Sequence, residues 1–153
     1  MSAVFELLGD HPFFYGMSEE HLQVVVDCAS PVDFEQGETI FHEGRAADAC
    51  FLILEGDIAL EIDPPGKGKH VIQTLHNGDI LGWSWLFPPY RWTFDAQALS
   101  ETRAIRFDAS ALRAAKEADP AFGYDLLTRF TEVLVRRMQA ARLQLMDVYA
   151  ADR

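Results

Sequence analysis

The middle of this chain consists of short segments in which apolar and polar residues alternate, separated by glycine-containing turns. The segments with this pattern are residues 32–34, 39–41, 50–54, 57–62, 70–75, 94–99 and 103–107. A period of two places alternate side chains in a core and in solvent, as in a half-buried strand. Turn pairs such as Asn77-Gly78 tolerate positive φ and favour tight hairpins. The pattern therefore predicts an antiparallel sandwich or barrel over residues 32–108.

Helical patterns flank this β region on both sides. Ser18 precedes two glutamates, a combination typical of a helix N-cap, and we predict a helix over residues 18–29. Asp108 or Ser110 is expected to cap the first of the C-terminal helices, which together span residues 109–150. The fold class predicted is mainly β with flanking α: an antiparallel β-roll or jelly-roll barrel, an N-terminal helix and C-terminal helices that include one long helix.

Composition limits the class of protein. The 153 residues are 49% hydrophobic and 24% charged, which is typical of a single globular domain, here residues 1–153. The formal charge of -11 argues against direct binding to nucleic acids or to anionic membranes. The sequence shows neither a secretory leader nor an apolar stretch of membrane-spanning length. We therefore expect a cytoplasmic protein.

The last helical segment is longer than a small barrel needs for cover. Apolar residues recur there every four positions from Phe122 to Met138. We expect its outer half to pack against a second copy, so that the chain forms a homodimer, or against a partner protein. Packing on the barrel alone is the alternative. The basic residues Arg136, Arg137 and Arg142 lie within this helix and are interpreted as solubility features.

Residues 82–91 carry the strongest indication of function. Gly82, a turn of helix and Arg91 follow one another closely, and backbone N–H groups with one guanidinium can form a phosphate pocket. With the order of the other glycines, this stretch resembles the cyclic nucleotide-binding domain family, the sensor domain of catabolite-activator-type regulators. The matching pieces are residues 37–40, 43–44, 51–56, 78–82, 86–87 and Arg91. The resemblance implies that Gly82 opens the phosphate-binding cassette and that Arg91 anchors the phosphate.

The cassette of this chain diverges from the family pattern. Trp83 stands where the family places a ribose-binding glutamate, and Trp85 stands where it places a small residue. An indole N–H donates a hydrogen bond but cannot accept one from a hydroxyl. Trp92 and Thr93 follow the arginine, where the family favours small and hydroxylic residues. The predicted ligand-binding residues are Gly82, Trp83, Ser84, Trp85, Leu86, Arg91, Trp92 and Thr93.

Three functions are compatible with these residues. The first is a non-enzymatic sensor that binds a cyclic nucleotide, cAMP or cGMP, and signals through its C-terminal helices. The second is a degenerate cassette that binds no nucleotide, in a domain used for dimerisation or protein interaction. The third, more remote, is a cupin-like metalloenzyme, which needs a His-x-His pair on a strand. None occurs among His11, His21, His42, His70 and His76, so no catalytic or metal-binding residue is predicted.

Regulators of this family carry a helix-turn-helix after the long helix. Here the sequence stops at Arg153. Together with the acidic charge, this leads us to expect no direct binding to DNA, and any role in transcription would act through a partner.

Overall fold

The computed structural model describes residues 3–151, and the side chains of residues 3–147. Its strands are β1 (Ala29–Phe34), β2 (Thr39–Phe41), β3 (Ala49–Glu55), β4 (Ile58–Ile62), β5 (His70–Leu75), β6 (Ile80–Leu81), β7 (Asp95–Ala98) and β8 (Thr102–Asp108). Its helices are α1 (Ala3–Asp10), α2 (Glu19–Asp27), α3 (Ala109–Ala118) and α4 (Pro120–Ala151), with one 3-10 turn at Ser84–Leu86.

The strands form two antiparallel four-stranded sheets. One sheet has the order β1-β8-β3-β6 and the other has the order β2-β7-β4-β5. In the first, Cys50 and Ala29 both pair with Phe107 of β8, so β8 links β1 to β3. The core holds the apolar side chains of both sheets, such as Leu52 and Leu60. The predicted fold class is confirmed, as a pair of sheets with flanking helices rather than a closed barrel.

Most predicted strands match observed ones to within a few residues. The largest shift is in β1, which begins at Ala29 and includes Pro31, whereas the predicted helix runs to residue 29 and the predicted strand begins at residue 32. Proline lacks an N–H and is tolerated in an edge strand, which β1 is. Helix α1 and the two-residue strand β6 were not predicted.

Side-chain caps define the ends of the helices. The Ser18 hydroxyl accepts from the His21 N–H at 3.2 Å, as its sequence predicts. Of the two caps considered for α3, Asp108 is the one observed, and its carboxylate accepts from the Ala111 N–H at 3.2 Å. Asp119 ends α3, and its carboxylate accepts from the first N–H groups of α4.

Helix α4 packs its apolar side chains into the core through its first half. Phe122, Leu126 and Phe130 are almost completely buried, whereas Met138 and Leu145 are more than half exposed. None of the described helices combines the length and the apolar character that crossing a bilayer requires. The predicted domain covers residues 1–153. Of these, residues 1–2 and 152–153 lie outside the described residues.

Candidate functional site

The backbone of the predicted cassette follows β6 and has the bend that its glycine suggests. Gly82 has φ of 98°, in the region that glycine adopts readily. The 3-10 turn comes next, and the Leu86 N–H donates to the Trp83 carbonyl at 2.9 Å. Residues 87–90 then lead to Arg91, and Tyr90 takes a left-handed conformation with φ of 57°. The local backbone features inferred from the sequence are therefore present.

The space over Gly82 is filled by a side chain of the same loop. A Cβ atom at Gly82 would lie 2.9 Å from Cη2 of Trp92. Trp92 is 3% exposed and stacks on Phe41, with ring centroids 3.7 Å apart and planes inclined by 7°. The indole therefore covers the glycine backbone that an anion would have to approach.

Arg91 lies at the surface and binds the protein's own backbone. Its Nη1 donates to the Gly44 carbonyl at 2.8 Å, and its backbone forms an isolated antiparallel bridge with Ala46. Hydrogen bonds between Trp92 and the backbone of Gly44 and Arg45 continue this pairing. The arginine thus ties the cassette loop to the turn after β2.

The other two tryptophans pack into the protein. Trp85 is fully buried, edge-on to Phe130 of α4 at 5.4 Å, and its carbonyl accepts from Nη1 of Arg113 at 2.9 Å. Trp83 is half-buried and contacts Phe94, with ring centroids 5.3 Å apart. Both indoles therefore act as packing groups between the cassette and its surroundings.

The eight predicted site residues do not converge on one cavity. Gly82, Trp83 and Trp92 meet in an aromatic cluster with Phe41 and Phe94. Leu86 and Ser84 are buried, and Thr93 and Arg91 are exposed. Among the described side chains, the Ser84 hydroxyl and the Trp85 indole N–H are buried without a hydrogen-bond partner.

An open space lies apart from these residues. A groove of about 890 Å³ runs between α4, strand β5, the turn at residues 77–80 and residues 11–15. Neither Gly82 nor Arg91 lines it. Arg129, Arg136 and Arg137 of α4 do, because positions seven and eight apart share one face of a helix. From the sequence, Arg136 and Arg137 are interpreted as solubility features, and the helical spacing of the three arginines was the signal that could have indicated a shared face.

Arg137 connects the groove to the cassette. Its guanidinium donates to the Ile80 carbonyl of β6, and its Cζ lies 5.6 Å over the ring of Trp83. Burial lowers the pKa of Arg137 to about 10, and the charge of nearby Asp79 opposes that shift. The side chain therefore stays charged at neutral pH although it is largely removed from water.

A second arginine fastens α4 to the N-terminal segment. Nη1 of Arg129 donates to the carbonyls of Phe13, at 2.7 Å, and Tyr15, at 2.9 Å. Its Nε donates to Asp125, at 3.0 Å, one turn earlier on the helix. These bonds close one side of the groove.

The described residues do not form a metal centre. Within the part of the chain that the structure describes, no three His, Cys, Asp or Glu side chains lie close enough together to hold a metal ion. His76, for example, pairs with Asp57 at 2.7 Å, and His21 pairs with Asp119 at 3.1 Å.

Comparisons with known proteins agree with one another. The family model described as "Cyclic nucleotide-binding domain" matches residues 31–119. The CRP-like cAMP-activated global transcriptional regulator of Mycobacterium tuberculosis is 27% identical over 147 residues, which are 96% of this chain and 64% of that protein. The chain therefore spans less than two thirds of that relative.

Solved structures show the same architecture. A protein from Geobacter metallireducens GS-15 assigned to the cyclic nucleotide-binding proteins superposes with a TM-score of 0.81 at 27% identity, covering 90% of this chain and 99% of that one. A cyclic nucleotide-binding domain from Methylobacillus flagellatus KT shares the fold, with a TM-score of 0.79 at 20% identity over 94% of this chain and 81% of that one.

Proposed function

The chain belongs to the cyclic nucleotide-binding domain family, and from that membership we propose a non-enzymatic, cytoplasmic regulatory domain that acts as a homodimer. In this proposal its cassette is closed by its own tryptophans and binds no cyclic nucleotide. The predicted sensor function, with cAMP or cGMP as ligand, is the alternative that the experiment below must exclude.

One observation carries the closed cassette: the Trp92 ring occupies the space against Gly82. A phosphate that approached the Gly82 backbone from this side would meet the ring, which is held by its stack on Phe41. Swinging it outward would expose a large aromatic side chain to water, at a cost of about 2 kcal/mol or more. Arg91, the proposed anchor, is exposed and bonded to Gly44 instead.

Calorimetric titration with cAMP and cGMP tests this proposal. We expect no saturable heat and no shift in melting temperature for the wild type. Arg45→Ala is the matched control for Arg91→Ala, because Arg45 is also exposed in the adjoining turn. Saturable binding that Arg91→Ala abolishes and Arg45→Ala preserves would contradict the closed cassette and restore the sensor function.

The homodimer rests on an apolar stripe along α4. The side chains of the stripe recur at alternating spacings of three and four residues, the repeat of a two-stranded coiled coil: Tyr124, Leu127, Thr131, Leu134, Met138, Ala141 and Leu145. Tyr124 is 77% exposed and Met138 is 54% exposed. A second copy of α4 alongside would remove this surface from water.

Sedimentation equilibrium tests the dimer. Met138→Glu places a charge on the stripe and is expected to yield monomers, whereas Gln139→Glu adds the same charge beside it and is expected to leave the dimer intact. A wild-type chain that stays monomeric at high micromolar concentration would contradict this part of the proposal.

A further inference from the structure

The groove beside α4 has the dimensions of a small-molecule site. Its volume of about 890 Å³ falls within the range of roughly 300–1,000 Å³ that such sites occupy. It lies between β5, the tight turn into β6, and α4, which is fastened to residues 13–15 through Arg129. It is separate from the cassette, since neither Gly82 nor Arg91 contributes to its wall.

Some charged side chains in this groove have hydrogen-bond or ion-pair partners within the protein, and others have no ion-pair partner in the described structure. Asp125 is paired with Arg129 at 3.0 Å, and the carboxylate of Asp79 accepts from the His76 N–H at 2.8 Å. Among the described residues, Arg136 and Arg137 have no ion-pair partner.

Of the two arginines, Arg137 gives the stronger indication of a bound anion. Its guanidinium is largely buried, and its described partners are a backbone carbonyl and an indole face. A buried guanidinium has five N–H donors to satisfy, and a carbonyl and a ring use only part of them. Asp79 is near enough to offset part of this charge but forms no ion pair with Arg137 in the described structure. A buried cation is costly unless hydrogen bonds and anionic groups complete its shell, so the remaining N–H donors favour a bound anion.

The opposite charge lies at the same groove. Glu132, one turn before Arg136, also lines the wall and has no ion-pair partner among the described residues. Asp79 lines the wall near Arg137. These carboxylates would repel a simple inorganic anion, and they favour a molecule that also presents hydrogen-bond donors.

We propose that this groove binds a small organic anion, with its anionic group at Arg136 and Arg137 and its donor groups toward Asp79 and Glu132. An organic phosphate that carries hydroxyl or amino groups has this chemistry. The inference does not depend on whether the cassette is closed. Because Arg137 also holds the carbonyl of Ile80, two residues before Gly82, such a ligand would bind at the junction of β6 and α4.

Adenosine 5′-monophosphate is a suitable probe, titrated calorimetrically into the full chain at constant ionic strength. We expect saturable binding that Arg137→Gln weakens about tenfold or more, because a charge-assisted hydrogen bond contributes roughly 1.5–3 kcal/mol. Arg142→Gln is the matched control, since Arg142 is exposed on the same helix and does not line the groove.

Two further variants keep the test decisive. Arg136→Gln changes an exposed side chain, so it is expected to fold and to weaken binding even if Arg137→Gln does not fold. Arg91→Ala is expected to leave binding unchanged, and a loss of binding in that variant would assign the probe to the cassette and overturn the proposal. Two other results would overturn the proposal. One is the absence of saturable heat at millimolar concentrations of adenosine 5′-monophosphate, and the other is a loss of affinity in Arg142→Gln equal to that in Arg137→Gln.

Discussion

The cassette and the groove beside α4 differ in what fills them. In the cassette, the glycine, the turn of helix and the arginine follow the family's order, yet Trp92 and Phe41 occupy the interior. The groove carries no recognised motif, yet it is open, and two of its arginines, Arg136 and Arg137, have no ion-pair partner in the described structure. The contrast teaches that a motif determines the path of a backbone, whereas the volume of its side chains determines whether a cavity remains.

Removing the ring that fills the cassette should have the largest effect. Trp92→Ala deletes a buried, stacked aromatic side chain and is expected to lower the free energy of unfolding by about 3–5 kcal/mol. Urea denaturation measures this loss. Phe87→Ala, which removes an aromatic ring that is 47% exposed, is expected to cost about 0.5 kcal/mol or less. Equal losses in the two variants would show that the cassette is not filled as described.

Adding a methyl group over the cassette glycine separates steric contact from backbone strain. Gly82→Ala meets the Trp92 ring and is expected to destabilise by about 3 kcal/mol, the sum of overpacking and positive-φ strain. Gly44→Ala has nearly the same φ, 86°, but nothing within 4 Å of the added carbon, so strain alone should cost about 1 kcal/mol. The comparison is made by thermal or urea unfolding, and an equal cost at both positions would mean that Trp92 does not crowd Gly82.

The smallest expected effect is the contribution of His11, which lines the groove, to the pH dependence of the free energy of unfolding. Nε2 of His11 bonds to the Gly78 carbonyl at 2.9 Å, and its Nδ1 accepts from the Phe13 N–H at 3.0 Å, so the bonded ring is neutral. Burial lowers the pKa of His11 from its ordinary 6.5. The folded state therefore binds the proton less readily than the unfolded chain, and the stability that the neutral ring contributes is lost as pH falls below 6.5.

His11→Asn tests this dependence against the many carboxylates that also titrate. Subtracting the urea stability of the variant from that of the wild type isolates the histidine, and the difference should shrink between pH 7.5 and pH 5.5. A difference that grows toward low pH would mean that the ring is charged in the folded protein.

The sequence was informative where local chemistry decides the structure. Period-two alternation gave the strands, and the hydroxyl of Ser18 and the carboxylate of Asp108 marked helix starts because each satisfies a free backbone N–H. Strand β6, with two residues, is too short to show a period. The start of β1 was predicted three residues too late because the tolerance of a strand for Pro31 depends on β1 being an edge strand, which the topology alone decides.

The candidate site could be predicted only in part. The positive φ of Gly82 followed from its place in the motif, but the direction of the Arg91 side chain depends on the turn at Gly44, which is 47 residues away in the chain. The groove was not predicted because it forms between segments far apart in sequence, residues 11–15, β5 and α4.

The bonds of Arg129 to the Phe13 and Tyr15 carbonyls bear on how α4 can move. Sliding the helix by one turn, about 5.4 Å, would bring a residue three or four positions away beneath those carbonyls. The available side chains are those of Asp125, Leu126, Glu132 and Val133, and as carboxylates and hydrocarbons none of them can donate a hydrogen bond there. The helix therefore has a single favoured axial register against the N-terminal segment, and any regulatory displacement of α4 must either carry residues 13–15 with it or pivot about this arginine.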